Sequence, residues 1–275
     1  MTELFEEGLG YSALNTVRSS LSTIIYDNNT TFGNHWLVRR FMKGVSELRP
    51  SVPRYGLTWD VNLVLQYFVS LGDNDKLSLE LLTKKVTTML LILSGQRVQT
   101  THLLKTNHIS FVKDECVIRI TSSGQDKLKH FNKKKNVQMI NFQKYEDKKL
   151  CMVTCLNDYL NRTAKHRNSD YLLLCFKKPY GAASKDTLSR WLRWTMKESG
   201  VDTNLFAPHS VRGAATSAAA KLDVPMDTIL QAAGWSNAET FRKFYFKDIC
   251  KEKKSESTKE FGNTILKYFT EKNNK

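Results

Sequence analysis

The 275-residue sequence contains no apolar run near the ~20 residues that a membrane-spanning helix needs. It does not begin with a secretory leader, and the opening "MTELFEEGLGYSAL" is acidic, which argues against a mitochondrial presequence. Cysteine is scarce and odd in number: the five are Cys116, Cys151, Cys155, Cys175 and Cys250, with no regular framework. A disulfide scaffold is thereby excluded and a reducing compartment implied. Cys151 and Cys155 stand four apart on an expected helix and, with His166, offer a conceivable metal site; buried free thiols are the ordinary reading and the one adopted. No GxxxxGK[ST] run is present, so a phosphate-gripping loop of that type is excluded. No closely spaced acidic cluster suggests a two-metal nuclease. Internal repeats and low-complexity tracts are also absent.

What the chain has in excess is positive charge. Lys and Arg number 42 against 27 Asp and Glu, a formal net charge of +15 and a pI of about 9.5. Such an excess points to a polyanionic partner, nucleic acid or an anionic membrane surface, and with no membrane span the leading reading is a DNA- or RNA-binding protein. Hydrophobic residues make up 41%, with 14 Phe and 5 Trp, enough for a substantial core.

Periodicity predicts helices over 11–25, 35–50, 57–72 and 77–95, the third opening on a Thr58 cap and the fourth ending at Gly95. Residues 28–34, "NNTTFGN", read as a loop. Pro50 and Pro53 bracket the best linker, "SVPRYG". The texture then changes. "ISFVKDECVIRITSS" and "NVQMINFQ" alternate and are rich in Val and Ile, as strands are, with the basic turn "GQDKLKHFNKKK" between them. Helices resume over 150–164, 184–200, 207–222 and 225–235, and a short helix is expected in the tail, 261–275. The fold class expected is mainly α with a small antiparallel β-sheet (α+β).

A strongly basic chain without metal or nucleotide motifs can still do phosphoryl chemistry through side chains alone. Two Arg forks would hold the non-bridging oxygens, since guanidinium is planar, bidentate and always charged. A His or Trp donor would add transition-state stabilisation. A general acid would protonate the leaving oxygen, and a nucleophile would take the phosphate. The candidates occur in order: Arg97 just past a helix-ending Gly, Lys127 or Lys129 in the basic turn, His209 and Arg212 on one helical face, Trp235 after a turn, and Tyr245.

This order of Arg, hairpin Lys, His-x-x-Arg, Gly-Trp and Tyr resembles the tyrosine recombinase (phage integrase) family over about residues 54–250. "SGQRVQTTHLL", "PHSVRGAATSAA" and "GWSNAETFRKFY" look most like the recombinases of eukaryotic mobile elements, the DIRS-like retrotransposons and Crypton-like transposons. The resemblance implies that Arg97 and Arg212 grip the scissile phosphate and that His209 is a donor and proton acceptor. Trp235 takes the place of a second His, and Tyr245 forms a 3′-phosphotyrosyl link. It favours Lys129 over Lys127 as the general acid. It implies a site-specific DNA strand transferase independent of metal and ATP, with no cofactor. It also implies a double-stranded DNA partner, a homo-tetramer on paired sites (a dimer per site), and a nuclear location.

Within that frame, residues 1–50 read as a partial helical clamp for DNA and 51–275 as the catalytic domain. Residues 257–275 would form a C-terminal helix exchanged between protomers through Ile265, Leu266 and Phe269. Lys127, Lys133, Lys134, Arg190, Arg193 and Lys197 are candidates for DNA-backbone contact. In "APHSVRGAATSAAAKL" the small residues allow tight packing while the first helical turn aims His209 and Arg212 at an anion.

The chain departs from the family pattern in three places. Thr100 stands where an acid usually follows the first Arg by three positions. Trp235 and Tyr245 are ten apart, which puts Phe244 at the commoner nucleophile position. About two helices, rather than four or five, precede Pro53. Two other classes remain open: a type IB topoisomerase-like relaxing activity and a domesticated, non-catalytic DNA-binding protein.

Overall fold

The computed structural model describes residues 1–27, 30–121, 137–235 and 237–250. The chain divides into two compact units, Met1–Arg54 and Tyr55–Lys275.

The first unit contains α1 (Thr2–Glu6), α2 (Tyr11–Leu21), a two-residue antiparallel pair of β1 (Tyr26–Asp27) with β2 (Thr30–Thr31), and α3 (Trp36–Leu48). Leu14 on α2 and Met42 and Val45 on α3 form its buried centre, with Leu4, Phe5, Leu9 and Phe41 packed around them. Arg49 closes it. Its guanidinium lies 3.9 Å from the Phe5 ring centroid and donates to the Leu9 carbonyl at 3.1 Å, tying down the segment between α1 and α2. The sequence predicts α2 through residue 25, but it ends at Leu21. The reason lies at Ser22, whose hydroxyl bonds back to Arg18 and accepts the Gly33 amide at 2.8 Å. A Cβ on Gly33 would meet Ser22 Oγ at 2.3 Å, so only glycine permits this approach. The stretch read as a loop thus carries β2 and folds back on the helix end.

The second unit begins with β3 (Leu57–Thr58) and α4 (Val61–Ser70), followed by α5 (Leu79–Ser94) and α6 (Val98–His102). Thr58 does not cap α4 as expected. It is a buried strand residue, and Asp60 caps the helix instead, accepting the Asn62 amide at 2.9 Å. α5 is the central helix. Ser78 caps its start, Gly95 ends it in the left-handed region at φ 61°, and Leu82, Val86, Met89, Leu90 and Leu91 are buried on several sides. α6 was not anticipated, because five residues are too few to show helical periodicity.

Strands β4 (Ile109–Val112), β5 (Glu115–Thr121) and β6 (Val137–Gln143) form an antiparallel sheet in that order. The single run expected over 109–123 is broken at Lys113, which takes φ 52° and turns the chain. Cys116, Ile118, Ile120, Ile140 and Phe142 bury one face, with Ile118 opposite both Ile109 and Ile140. The helices α7 (Met152–Thr163), α8 (Lys185–Glu198), α9 (Ser210–Lys221), α10 (Met226–Ala233) and α11 (Ala238–Phe244) follow. α5 packs against α7, α8 and α9. The last described strand, β7 (Asp248–Ile249), pairs in parallel with β3, so the two ends of the unit's described chain meet. The architecture is mainly α with a small antiparallel sheet.

Cys151 caps α7 through its sulfur, and Cys155 is buried with its thiol pushed up to about 12 by burial. Among the described residues no group of three or more His, Cys, Asp or Glu could hold a metal ion, so Cys151, Cys155 and His166 do not assemble as one. No helix among these residues is long and apolar enough to cross a membrane. The expected tail helix, 257–275, lies outside the described residues.

Candidate active site

Helix α9 is the platform. It runs through Ala and Gly positions that let neighbours approach closely, and no side chain caps its start at His209. Two aromatic residues hold that start. The Trp59 indole N–H donates to Ser210 Oγ at 2.9 Å, and the Tyr55 hydroxyl accepts the Ala207 amide at 3.2 Å. His209 is exposed, its ring 5.5 Å from that of Tyr55.

One turn on, Arg212 is 5% exposed. Its Nη2 donates to the Ala233 carbonyl at 2.7 Å. Its Nε and Nη1 have no hydrogen-bond partner among the described residues. Its Cζ lies 4.1 Å from the Trp235 ring centroid and 5.7 Å from that of Tyr245. Burial, and secondarily the nearby Arg97 charge, lower its pKa to about 9, while Tyr245 acts in the opposite sense. Two nitrogens of a buried cation left without acceptors are costly. An oxyanion in front of them would satisfy both and remove the electrostatic penalty.

Arg97 is the N-cap residue of α6 and is half-buried. The turn that delivers it is pressed close. A Cβ on Gly95 would lie 3.4 Å from Thr216 Cγ2 on α9 and 3.7 Å from Ala233 Cβ on α10. Thr100, three residues beyond, is buried.

Trp235 follows the left-handed Gly234, at φ 68°, which ends α10. Its ring lies 4.5 Å from Tyr245 and 5.4 Å from Phe241. Tyr245 sits at the C-cap of α11, its amide bonded to the Phe241 carbonyl at 2.8 Å. Phe244 is 36% exposed and makes no described contact with Arg212, whereas the Tyr245 ring packs at a 48° tilt against Trp235 and lies 5.7 Å from Arg212 Cζ. The geometry therefore groups Arg97, Arg212, Trp235 and Tyr245, with His209 one turn away on the same helix.

Three residues that sequence reasoning missed help to build this group. The last carbonyls of α10 have no partner within the helix. Gln96 Nε2 donates to that of Ala232 at 2.6 Å, Gln138 of β6 reaches those of Ala232 and Gln231 at 3.3 and 3.4 Å, and Arg212 takes that of Ala233. The loop before Arg97, the sheet and α9 thus meet at one helix end. The third residue, Ser217 on α9, is fully buried and bonds to the Tyr245 carbonyl at 2.7 Å. Only the position of Gln96 next to Arg97 offered any hint.

Lys127, Lys129, Lys133 and Lys134 lie outside the described residues, although β5 and β6, which flank them, are described. Arg190, Arg193 and Lys197 are exposed on α8, while Trp191 is buried and Trp194 lies under Lys84, 3.5 Å from its ring. Arg190 also bonds Thr187 at 3.0 Å and Arg193 the Thr203 carbonyl at 3.2 Å, which holds both side chains on the outer face.

The family model described as the Phage integrase family matches residues 69–249. No curated protein matches the chain. Among solved structures, the XerH site-specific recombinase bound to difH substrate in a pre-cleavage complex is similar, with TM-score 0.56 and 14% identity. The alignment covers 87% of this chain and 63% of that one, so this chain spans less than two thirds of XerH. The Tn1549 transposon integrase (residues 82–397, Y379F) in complex with transposon right-end DNA gives TM-score 0.54 and 16% identity, covering 96% of this chain and 82% of that one. The XerA recombinase gives 0.51 and 13%, covering 94% and 83%.

Proposed function

Because this chain belongs to the phage integrase family, we propose that it is a site-specific DNA recombinase of a mobile element, cutting and rejoining strands through a 3′-phosphotyrosyl intermediate. The observation that carries the reading is Arg212, which is buried beside Tyr245 and whose Nε and Nη1 have no hydrogen-bond partner among the described residues. Arg97 and Arg212 bind the non-bridging oxygens of the scissile phosphate, and their charge is worth most where water is excluded. The Tyr245 oxygen attacks phosphorus and its proton passes to His209. The bond to the 5′-oxygen breaks, and Lys129, or Lys127, protonates that oxygen. The Trp235 indole N–H donates to the phosphate but cannot shuttle a proton. A 5′-hydroxyl then attacks the phosphotyrosine, restores a phosphodiester and frees the tyrosine. The phosphotyrosyl bond retains the energy, so the exchange needs neither ATP nor metal.

The basic face of α8 and the lysines between β5 and β6 follow the DNA backbone. The chain acts as a homo-tetramer on paired sites, with 257–275 exchanged between protomers. Deleting that segment should abolish pairing of sites and leave single-site binding intact; tetramers of the shortened chain on paired sites would refute the exchange. The motifs "PHSVRGAATSAA" and "GWSNAETFRKFY" favour an element of the eukaryotic DIRS-like or Crypton-like kind, and with it a nuclear location. Residues 1–50 serve as a short DNA clamp ahead of the catalytic domain.

The test is covalent trapping. The protein is incubated with a pool of nicked duplexes drawn from candidate element ends and run on a denaturing gel beside Tyr245→Phe. A protease-sensitive adduct that resists SDS and is absent from the variant is the expected result. Salt-sensitive binding without any adduct would indicate a DNA-binding protein that does not cut. Relaxation of any plasmid regardless of sequence would indicate topoisomerase-like action.

A further inference from the structure

Tyr245 does not lie inside a helix that could fix it. It is the residue that ends the seven-residue α11, at φ −119° and ψ −32°, and the chain beyond it leaves toward β7. A helix end of that length has little intrinsic stability, because nucleation costs more than so few hydrogen bonds return. Something outside α11 must therefore set where the phenol sits.

The group in position to do so is the Ser217 hydroxyl. Ser217 lies on α9, is 0% exposed, and uses its single hydroxyl in both directions. It donates to the Tyr245 carbonyl at 2.7 Å and accepts the Lys247 amide at 3.0 Å. The two backbone groups flank Phe246, so one side chain clasps the turn directly after the tyrosine. Nearby, a Cβ on Gly213 would come within 3.8 Å of Tyr245 Cδ1, so the ring is in close contact with the same helix that carries Arg212. Farther along, Lys221 of α9 pairs with Asp248 at 3.0 Å, but that pair is largely exposed and weak. The buried Ser217 bonds are the ones that register the tyrosine segment on α9.

We propose that Ser217 is the positioning residue of Tyr245, setting the phenol relative to Arg212 by holding the backbone on both sides of Phe246; this rests on the reading of Tyr245 as the nucleophile. Ser217 does not touch DNA or the phosphate. Its loss leaves the Tyr245 carbonyl and the Lys247 amide without their partner and lets the segment swing. Geometry of this kind is steep in its effect on rate, since a misplacement of about 1 Å costs on the order of 100-fold.

The experiment uses the full chain, with Ser217→Ala and Ser217→Thr, on the nicked duplexes that give an adduct with the unaltered protein. Ser217→Ala should bind DNA within twofold of the unaltered protein and cleave at least tenfold more slowly in single turnover. Amide hydrogen exchange at Lys247 should accelerate at least tenfold while exchange in α5 stays the same. Ser217→Thr retains the hydroxyl and should recover most of the rate; if the extra methyl prevents folding, the Lys247 exchange in Ser217→Ala decides alone. Unchanged cleavage by Ser217→Ala, or unchanged Lys247 exchange, overturns the inference while Tyr245 stands as the nucleophile. An adduct that persists in Tyr245→Phe overturns the parent reading and this inference with it.

Discussion

The guanidinium carbon of Arg212 lies 4.1 Å from the centroid of the Trp235 indole, so a buried cation rests on an aromatic ring and, among the described residues, on no acid. Arg212 is thereby ordered by a partner that leaves its N–H groups available. A carboxylate would have consumed them.

This arrangement gives Trp235 two separable duties. Trp235→Phe keeps an aromatic ring near Arg212 and removes the indole N–H. If that N–H stabilises the transition state, cleavage should fall about 100-fold with DNA affinity preserved. Trp235→Ala removes the ring as well and should cost more. Single-turnover cleavage on nicked duplexes measures both, and a Trp235→Phe rate equal to that of the unaltered protein would assign the indole to packing only.

Arg212 itself serves the chemistry more than the fold. Arg212→Met removes a buried, partly compensated charge but also leaves the Ala233 carbonyl without its donor, so the opposing effects should leave stability little changed while the adduct is abolished. Thermal unfolding in chloride and in sulfate at matched ionic strength separates the effects. Sulfate should stabilise the unaltered protein more than Arg212→Met, because only the former offers the anion the Arg212 Nε and Nη1 donors, which no described residue engages. An equal response in both would mean that no anion binds there.

Tyr245 packs beside the Trp235 and Arg212 of its own chain. Cleavage is accordingly expected in cis. A mixture of Arg212→Ala and Tyr245→Phe proteins should form no adduct, because neither chain holds a complete site. Recovery of adduct in the mixture would mean that the tyrosine is delivered to a neighbour's phosphate.

Two buried thiols predict an alkaline limit. Burial pushes the Cys116 thiol up to about 11 and the Cys155 thiol up to about 12, from an ordinary thiol value of 9.0. Above pH 9 the unfolded chain releases these protons while the folded chain retains them, so stability is fully present below pH 9 and declines as pH rises through 11. Cys116→Ala should be less stable at neutral pH through the cavity it leaves, yet lose stability less steeply above pH 9. Denaturant unfolding between pH 7 and 10.5 provides the comparison, and parallel curves would exclude the thiol as the source.

The order of Arg97, His209, Arg212, Trp235 and Tyr245 along the chain, the helix over α5 with its Gly95 stop, and the alternating strands were all readable by eye. Each is a local property: a spacing, a cap, a period of 2 or 3.6 residues. The Asp60 cap in place of Thr58 is not legible locally, because Thr58 is drawn into pairing with Ile249, a partner that no local window contains. α6 was missed for its brevity. Gln96, Gln138 and Ser217 were invisible for a different reason. Each acts by a side-chain bond to a distant backbone carbonyl, which any residue can supply and which leaves no trace in composition. The sequence by itself determined which side chains could do chemistry here. Tertiary structure alone decided that Arg212 lies under Trp235 and that Ser217 holds the Tyr245 carbonyl, because those contacts join segments whose closeness exists only once α9, α10 and α11 have packed.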